Sequence, residues 1–278
     1  MNKQHQTPSG PTLLKQCEDN WQTDMGAIFF GERAVLRGKD ILEELGQHHW
    51  MDYMVFAVTG RESKHLARLI EAIWVISTSY PDPRLWNNRV AALGGTTRTT
   101  GALAVTAASA VSEATTYGLK TSKGAIDLLY RFKDKIDSGH HLEELINLEL
   151  KQNRVVWGYG RPLASGDERI VPLMCLARSL GCGNGPFVKL AFQIGEYLSR
   201  SRYKYQINIS AVAAGLLADE GLSTNEFYYV AALSFVGGIF PCYVDAATHK
   251  EGTFFPLSTG RIKYKGSSST RKWHTPGD

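Results

Sequence analysis

The 278-residue sequence lacks several features that place a protein in a class at once. No apolar run approaches the roughly 18 to 20 residues of a membrane span, so we expect no membrane partner. The first residues, MNKQHQTPSGPTLL, lack the apolar region of a signal peptide, which favours a cytoplasmic location. The net charge of +4 is small and is spread along most of the chain, so we expect no nucleic-acid partner.

Cysteine is scarce, and its spacing does not fit a metal site. The four cysteines are Cys17, Cys175, Cys182 and Cys242. We expect buried free thiols rather than zinc ligands or a disulfide, and no metal site. Two histidine pairs, His48–His49 and His140–His141, fall at predicted helix ends, where neighbouring side chains point about 100° apart. These histidines are predicted to be solvated.

General motifs for phosphate binding and ester hydrolysis are missing as well. The sequence contains neither GxxxxGK[ST] nor a GxGxxG that follows a strand. No GxSxG marks a serine nucleophile. The sequence therefore gives no evidence for a nucleotide-binding protein or for a serine hydrolase.

Helical periodicity is what the sequence does contain. HLARLIEAIWVIS and AIDLLYRFKDKIDSG both carry apolar stripes at helical spacing, and the second ends at Gly139, a typical C-terminal residue. In STNEFYYVAALSF, Ser223 and Glu226 stand in capping-box register. The main strand signal, FFGERAVLRG, predicts a short hairpin that turns at Gly31–Glu32. The predicted fold class is all-α with a short N-terminal β-hairpin.

Five segments, in chain order, carry a family resemblance. GERAVLRGKDILEEL is similar to G-x-x-x-x-R-G-x-D-I-x-x-L, and MVFAVTGRES to a leucine-rich run that ends in G-E-L-P. GYGRPLASGDER is similar to G-F-G-H-R-V-x-x-x-D-P-R, and INISAVAAGLLADEGLS to N-V-D-x-x-x-A-x-x-L-x-D-x-G-L. RIKYKG is similar to R-I-x-Y-x-G. From about Trp21 to Gly266 the chain resembles the citrate synthase superfamily, and most of all its short, citryl-CoA-lyase-like members.

The resemblance implies a citrate-synthase-like multi-helical fold that assembles as a homodimer. It implies a cleft that closes on an acyl-CoA, with a coenzyme A thioester as co-substrate and no tightly bound cofactor. In the family, an acidic residue removes a proton beside the thioester carbonyl, and two histidines stabilise the enol and polarise the attacked carbonyl. The expected parts are a disordered lead-in at 1–20, a large helical domain at 21–150 and 225–266, a small helical domain at 151–224 and a flexible tail at 267–278.

The three family positions that carry this chemistry hold other residues here. Arg161 stands where the family has a histidine after the glycine turn, and Ser210 where it has the aspartate of N-V-D. Tyr117 is the best match for the histidine of an H-G-G-A turn. Arginine stays protonated and an unassisted serine hydroxyl is no general base, so the set can polarise a carbonyl but lacks an obvious base. Asp245 is a candidate substitute base, on its position in the family layout alone.

Two arginines that hold substrate carboxylates in the family are retained. Arg169 matches the arginine of D-P-R, which grips a carboxylate in bidentate fashion. Arg261 matches the arginine of the closing motif, on an arm that often reaches the neighbouring subunit. A further family arginine is lost near Gly237 or Gly238, so we expect a different or smaller acid, either an acyl-CoA or a dicarboxylate. The turn expected to line the coenzyme A site consists of Gly158, Tyr159 and Gly160.

Each candidate residue also has a structural interpretation. Arg161 can be a solvated loop charge, and Ser210 can be a helix N-cap. Tyr117 can belong to the core or the cleft wall, and Arg169 to an exposed salt bridge. The acidic residues before Arg169 favour the start of a helix, because negative charge there interacts favourably with the helix dipole.

Three functions follow from this reading. The first is an enzyme that makes, breaks or rearranges a bond next to the thioester carbonyl of a carboxylated substrate. The second is a pseudoenzyme that keeps the dimeric fold for ligand sensing or for partnering an active enzyme. The third keeps the cleft for another small anionic metabolite. We favour the first, because a relic has less reason to retain two carboxylate-binding arginines.

Overall fold

The computed structural model describes residues 9–116, 118–161, 166–254 and 256–266. These residues are mostly helical with one small sheet, which confirms the predicted fold class. The helices are α1 (Pro11–Cys17), α2 (Trp50–Thr59), α3 (Lys64–Ser77), α4 (Trp86–Thr96), α5 (Gly101–Val111), α6 (Leu119–Asp137), α7 (Leu142–Asn153), α8 (Ile170–Ser179), α9 (Pro186–Arg200), α10 (Ile209–Asp219), α11 (Thr224–Ala231) and α12 (Val236–Thr248).

The predicted hairpin is present and extends to a third short strand. Strand β1 (Gly26–Phe29) pairs with β2 (Arg33–Leu36) in antiparallel register, and β2 pairs with β3 (Lys39–Asp40). Gly31 has a φ of 77° in the connecting turn. This left-handed conformation favours glycine, because a Cβ atom would make it strained.

The structure divides into two compact units. The first combines the chain up to Thr78 with Ser112–Phe235, and the second combines Ser79–Val111 with the chain from Val236 onwards. The segment 151–224, which the sequence analysis expects to form the small domain, lies inside the first unit.

The core of the first unit contains the helical stripes that the sequence predicts. In α3, Leu66, Leu69, Ile70 and Ile73 are buried, and the side chain of Ser63 accepts a hydrogen bond from the Leu66 amide at the N-terminus. Helix α6 buries its own stripe, which consists of Ala125, Ile126, Leu128, Leu129 and Phe132. The predicted capping box of Ser223 and Glu226 begins α11. In the second unit, a Cβ on Gly95 of α4 would meet the backbone of α12, so glycine permits their close packing.

Two expectations about exposure and order need correction. Cys17 and Cys175 are exposed, and only Cys182 and Cys242 are buried, so half of the expected buried thiols lie at the surface. The lead-in at 1–20 was expected to be disordered. Part of it is the helix α1, in which no residue is buried. The paired histidines at 48–49 and 140–141 are exposed at helix starts, as predicted.

The expectation that no apolar stretch reaches membrane-spanning length is also wrong. Within the described residues, Thr224–Thr248 is long and apolar enough to cross a membrane by length and composition, with a mean hydropathy of 1.6. The stretch comprises α11 and α12, and Pro241 lies inside the second of these helices. A single stretch of this kind is weak evidence for a membrane span.

Candidate functional site

The GYG turn after α7 is tied to the segment that enters α10. Tyr159 and Ile207 form an isolated antiparallel bridge, and the Gly160 amide donates to the Gln206 carbonyl at 2.6 Å. Asn208 donates from its backbone to the Gly158 carbonyl and from its side chain to the Gly160 carbonyl, both at 3.0 Å. These bonds hold the two chain segments that carry Arg161 and Ser210 against each other.

Packing explains the residue types of this turn. Gly158 has a φ of 91°, and a Cβ there would lie 2.7 Å from the Cβ of Ala211 in α10. Tyr159 is buried, and its hydroxyl donates to the Ala191 carbonyl at 2.8 Å. Burial raises the pKa of this hydroxyl well above its ordinary value. The Tyr159 ring therefore belongs to the core, so any contact of this turn with a ligand must come from its backbone.

Asp167 is the centre of the site. Its side chain is fully buried and accepts two hydrogen bonds from the Arg169 guanidinium, each at 2.7 Å, and one from the Ile209 amide at 2.9 Å. Burial raises the pKa of Asp167, but the hydrogen bonds and charge of Arg169 and the Ile209 amide outweigh that effect. The net pKa lies below the ordinary value. Asp167 is therefore an anion that fixes Arg169 and the start of α10.

Arg161 joins the same cluster from the other side of the loop. Its Nη1 lies 2.8 Å from the Gly166 carbonyl, 2.7 Å from a Glu168 carboxylate oxygen and 3.8 Å from an Asp167 oxygen. The Arg161 side chain is about a quarter exposed, at 26%. It is thus held at the edge of the cluster and is not a freely solvated loop charge.

Ser210 lies in the first turn of α10 and faces a second hydroxyl. The N-cap of α10 is Asn208, whose side chain accepts from the Ser210 amide at 2.9 Å, so the alternative interpretation of Ser210 as the N-cap is wrong. The Ser210 Oγ lies 3.2 Å from the Ser122 Oγ in α6. The site therefore contains a pair of hydroxyl groups beside the arginine cluster.

The sequence analysis did not identify Ser122 or the role of Asp167. The histidine of H-G-G-A was matched to Tyr117, and Ser122 lies five residues further along the chain. A Cβ on Gly124 would lie 2.6 Å from the Trp157 ring, so glycine permits α6 to approach the GYG turn. Tyr117, the residue first matched to that histidine, lies outside the described residues. For Asp167, the signal was its position two residues before Arg169.

Arg161 and Arg169 meet at Asp167, and Ser210 follows Ile209, whose amide bonds the same carboxylate. Arg261 and Asp245 belong to the second unit. Arg261 is exposed and ends a 3-10 turn at Thr259–Arg261. Asp245 is exposed on α12.

A cavity of about 830 Å³ lies in the first unit, where α7 and α9 end. Its wall includes the cationic residues Lys151, Arg154 and Arg202 and the rings of Tyr197 and Tyr203. Tyr203 packs against Tyr205, with ring centroids 5.6 Å apart. Tyr205 in turn lies close to Gly160, because a Cβ atom added to Gly160 would be 3.5 Å from the Tyr205 ring. The two tyrosines thus connect a basic, aromatic pocket to the GYG turn.

Comparison with known proteins gives a result for structure alone. No protein-family model and no curated protein matches the sequence. Among solved structures, citryl-CoA lyase from Hydrogenobacter thermophilus is similar, with a TM-score of 0.77 and 18% identity over 91% of this chain and 97% of that one. The chain has the citrate synthase fold. A citrate synthase from Thermotoga maritima is also similar, with a TM-score of 0.61 and 17% identity over 80% of this chain and 59% of that one.

A larger protein contains the same fold as one part. ATP citrate lyase from Methanothrix soehngenii, in complex with citrate and coenzyme A, has a TM-score of 0.72 and 16% identity. That similarity covers 96% of this chain and 46% of the larger protein.

On this citrate synthase fold, the cluster pairs two arginines with two carboxylates, those of Asp167 and Glu168. The segments at 122–124, 157–169 and 206–211 contain no histidine, and Ser122 and Ser210 contribute a pair of hydroxyl groups that contact each other. Asp167 is already bonded and has a lowered pKa, so it is unsuited to accept a proton near neutral pH. The arrangement can orient and polarise a carbonyl or carboxylate.

Proposed function

We propose that this chain acts on a coenzyme A thioester or a related carboxylated substrate, and makes or breaks a bond next to the thioester carbonyl. The observation that carries the proposal is the cluster around Asp167, which gathers Arg161, Arg169 and the start of α10 beside Ser210. The cluster lies on a fold shared with citryl-CoA lyase and citrate synthase. Substrates and activity are proposals for this chain.

Each residue of the cluster has a defined part in the proposal. Arg161 stabilises the negative oxygen that develops as the bond forms or breaks, since it carries a fixed charge at the edge of the cluster. Arg169, held in one plane by its bidentate pair with Asp167, recognises a substrate carboxylate. The hydroxyl groups of Ser122 and Ser210 donate to the carbonyl. Tyr117 remains a further candidate for this donor role.

The basic cavity is the proposed binding site for the anionic end of coenzyme A. Lys151, Arg154 and Arg202 supply positive charge for phosphate groups, and Tyr197 and Tyr203 supply aromatic surface for a base. The pocket reaches the GYG turn through Tyr205.

A homodimer in the cytoplasm is part of the same proposal. The described segment 256–266 exposes Leu257, Ile262 and Tyr264, with 80%, 67% and 79% of their surfaces accessible. These three exposed apolar side chains fit burial against a second copy, where Arg261 would reach the neighbouring site.

Calorimetric titration with acetyl-CoA tests the pocket. We expect saturable binding with one site per chain, weakened at least about tenfold in a Lys151→Glu/Arg154→Glu variant because two cations become anions. Lys135→Glu, an exposed reversal on α6, is the matched control and should bind as the wild type does. Absence of binding to the wild type would refute the proposal.

A second candidate is a non-catalytic member of the fold that binds the same ligand. It is favoured by the lowered pKa of Asp167 and by the absence of histidine from the segments of the site. Incubation with citryl-CoA, followed by chromatography, separates the two candidates. Cleavage that disappears in Arg161→Ala supports the enzyme, whereas binding without turnover supports the non-catalytic protein.

A further inference from the structure

A second cluster of reactive side chains lies in the first unit, where three helices end or begin. His65 is in the first turn of α3, Cys182 follows α8, and Glu220 caps the C-terminus of α10. The His65 Nε2 lies 3.1 Å from the Cys182 Sγ and 3.6 Å from a Glu220 carboxylate oxygen. The Cys182 Sγ lies 3.4 Å from the same oxygen. One nitrogen, one sulfur and one oxygen thus converge on a common point.

We propose that His65, Cys182 and Glu220 bind a zinc ion, with water as the fourth ligand. In tetrahedral zinc with bonds of about 2.0 to 2.3 Å, ligand atoms lie about 3.3 to 3.6 Å apart, and the observed separations are close to this range. Thiolate, imidazole and carboxylate are each ligand types that bind zinc in proteins. The side of the cluster at His65 is open to water, since 44% of that side chain is accessible.

Charge balance favours a divalent cation at this place. A thiolate and a carboxylate bring two negative charges, which a divalent ion neutralises, so no net charge is left at a partly buried position. Arg61 donates from Nη1 to the Glu220 carbonyl at 2.9 Å and so fixes the backbone that carries this ligand. The ion would join α3 to the ends of α8 and α10.

The principal alternative for this cluster is a nucleophilic cysteine. Burial, followed by the hydrogen bond to Glu220, raises the pKa of the Cys182 thiol to about 11. The thiol is buried and donates to a carboxylate, whereas reactive cysteines are partly exposed and have lowered pKa values. The geometry is thus better suited to holding a metal than to nucleophilic attack.

The sequence predicted no metal site because the three ligands are far apart along the chain. Spacing rules detect ligands that lie within a few residues of each other. Here the ligands are at positions 65, 182 and 220, and only the packing of α3, α8 and α10 brings them together.

The test is metal titration of the purified, metal-stripped full chain. We expect one Zn²⁺ per chain, competition by Co²⁺, and a visible and near-ultraviolet Co²⁺ spectrum typical of four-coordinate thiolate ligation. Zn²⁺ should raise the unfolding temperature of the wild type, because it binds only the folded state. Failure of the wild type to bind Zn²⁺ or Co²⁺ more tightly than the cluster variants would overturn the proposal.

Variants assign the ligands. Cys182→Ser should lose the thiolate band and weaken metal binding at least about 100-fold. The control Cys175→Ser replaces an exposed cysteine on α8 and should keep the thiolate band and the wild-type affinity. His65→Ala removes an exposed side chain, so its fold should survive even if Cys182→Ser unfolds. Unchanged Zn²⁺ affinity in a folded His65→Ala protein would contradict the assignment.

Discussion

At the scale of single residues, Asp167 does more than complement a helix dipole. Its buried carboxylate pairs with Arg169, whose side chain is only 13% exposed. Asp167→Asn removes the negative charge from this buried pair, so we expect a loss of about 3 kcal/mol in the free energy of unfolding. Glu168→Gln, which changes a 60% exposed partner of Arg161, should cost less than about 1 kcal/mol. Urea denaturation measures both, and equal losses would contradict this role of Asp167.

The pKa of Asp167 gives a separate prediction for acid stability. Because its folded pKa lies below the ordinary 3.8, the folded state holds fewer protons in that range. Its contribution to stability is therefore fully present above about pH 4 and is lost as the pH falls through the lower, folded pKa. In Asp167→Asn, the free energy of unfolding should fall less steeply with acidification over this window. The same pH dependence in both proteins would exclude Asp167 as its source.

Single residues also show where sequence reasoning reached its limit. Arg161, Arg169 and Ser210 were selected from motifs. In the structure Arg161 and Arg169 pair with Asp167, and Ser210 follows Ile209, whose amide bonds the same carboxylate. Ser122 was missed because its importance depends on a contact with Ser210, 88 positions away. A local pattern contains no information about such a contact.

At the scale of elements, Asp219 anchors the start of α9 from the end of α10. Its two carboxylate oxygens accept from the Phe187 and Val188 amides at 2.8 and 3.1 Å. Asp219→Ala leaves these first-turn amides without partners and should cost about 1 to 2 kcal/mol. Asp219→Asn keeps one acceptor and should cost less, as chemical denaturation can show. If the alanine variant were no less stable than the asparagine variant, the anchoring role would be excluded.

The contact between α6 and the GYG turn depends on Gly124. Gly124→Ala would place a Cβ 2.6 Å from Trp157, and we expect a loss of about 1 to 3 kcal/mol despite the better helix propensity of alanine. Gly101→Ala is the control, since its Cβ would meet nothing closer than 3.4 Å. Thermal unfolding of both variants tests the contact, which a stabilised Gly124→Ala protein would contradict.

Elements with strong local signals were predictable, and those set by packing were not. The apolar stripes of α3 and α6, the capping box of α11 and the hairpin follow from residue type and period. Helix α6 begins at Leu119, ahead of the predicted stripe that starts at Ala125, and the N-cap of α10 is Asn208, not Ser210. The sequence therefore predicted the helices better than their ends.

At the scale of the whole molecule, the fold was predictable from the order of five weak motifs, whereas the division into units was not. Contacts between distant segments, such as α4 with α12, define the units, and the order of motifs does not encode them. The exposed apolar side chains of segment 256–266, Leu257, Ile262 and Tyr264, belong to this scale too. We expect sedimentation equilibrium to give a mass of about twice 30.8 kDa. A monomer at micromolar concentration would contradict the homodimer.

The central claim is that an acyl-CoA carbonyl lies against the cluster around Asp167. A crystal structure of the protein grown with acetyl-CoA and a dicarboxylate tests this claim most directly. We predict the thioester carbonyl within hydrogen-bonding distance of Arg161 or the Ser122–Ser210 pair, and a carboxylate against Arg169. A coenzyme A thioester bound elsewhere, with this cluster unchanged, would contradict it.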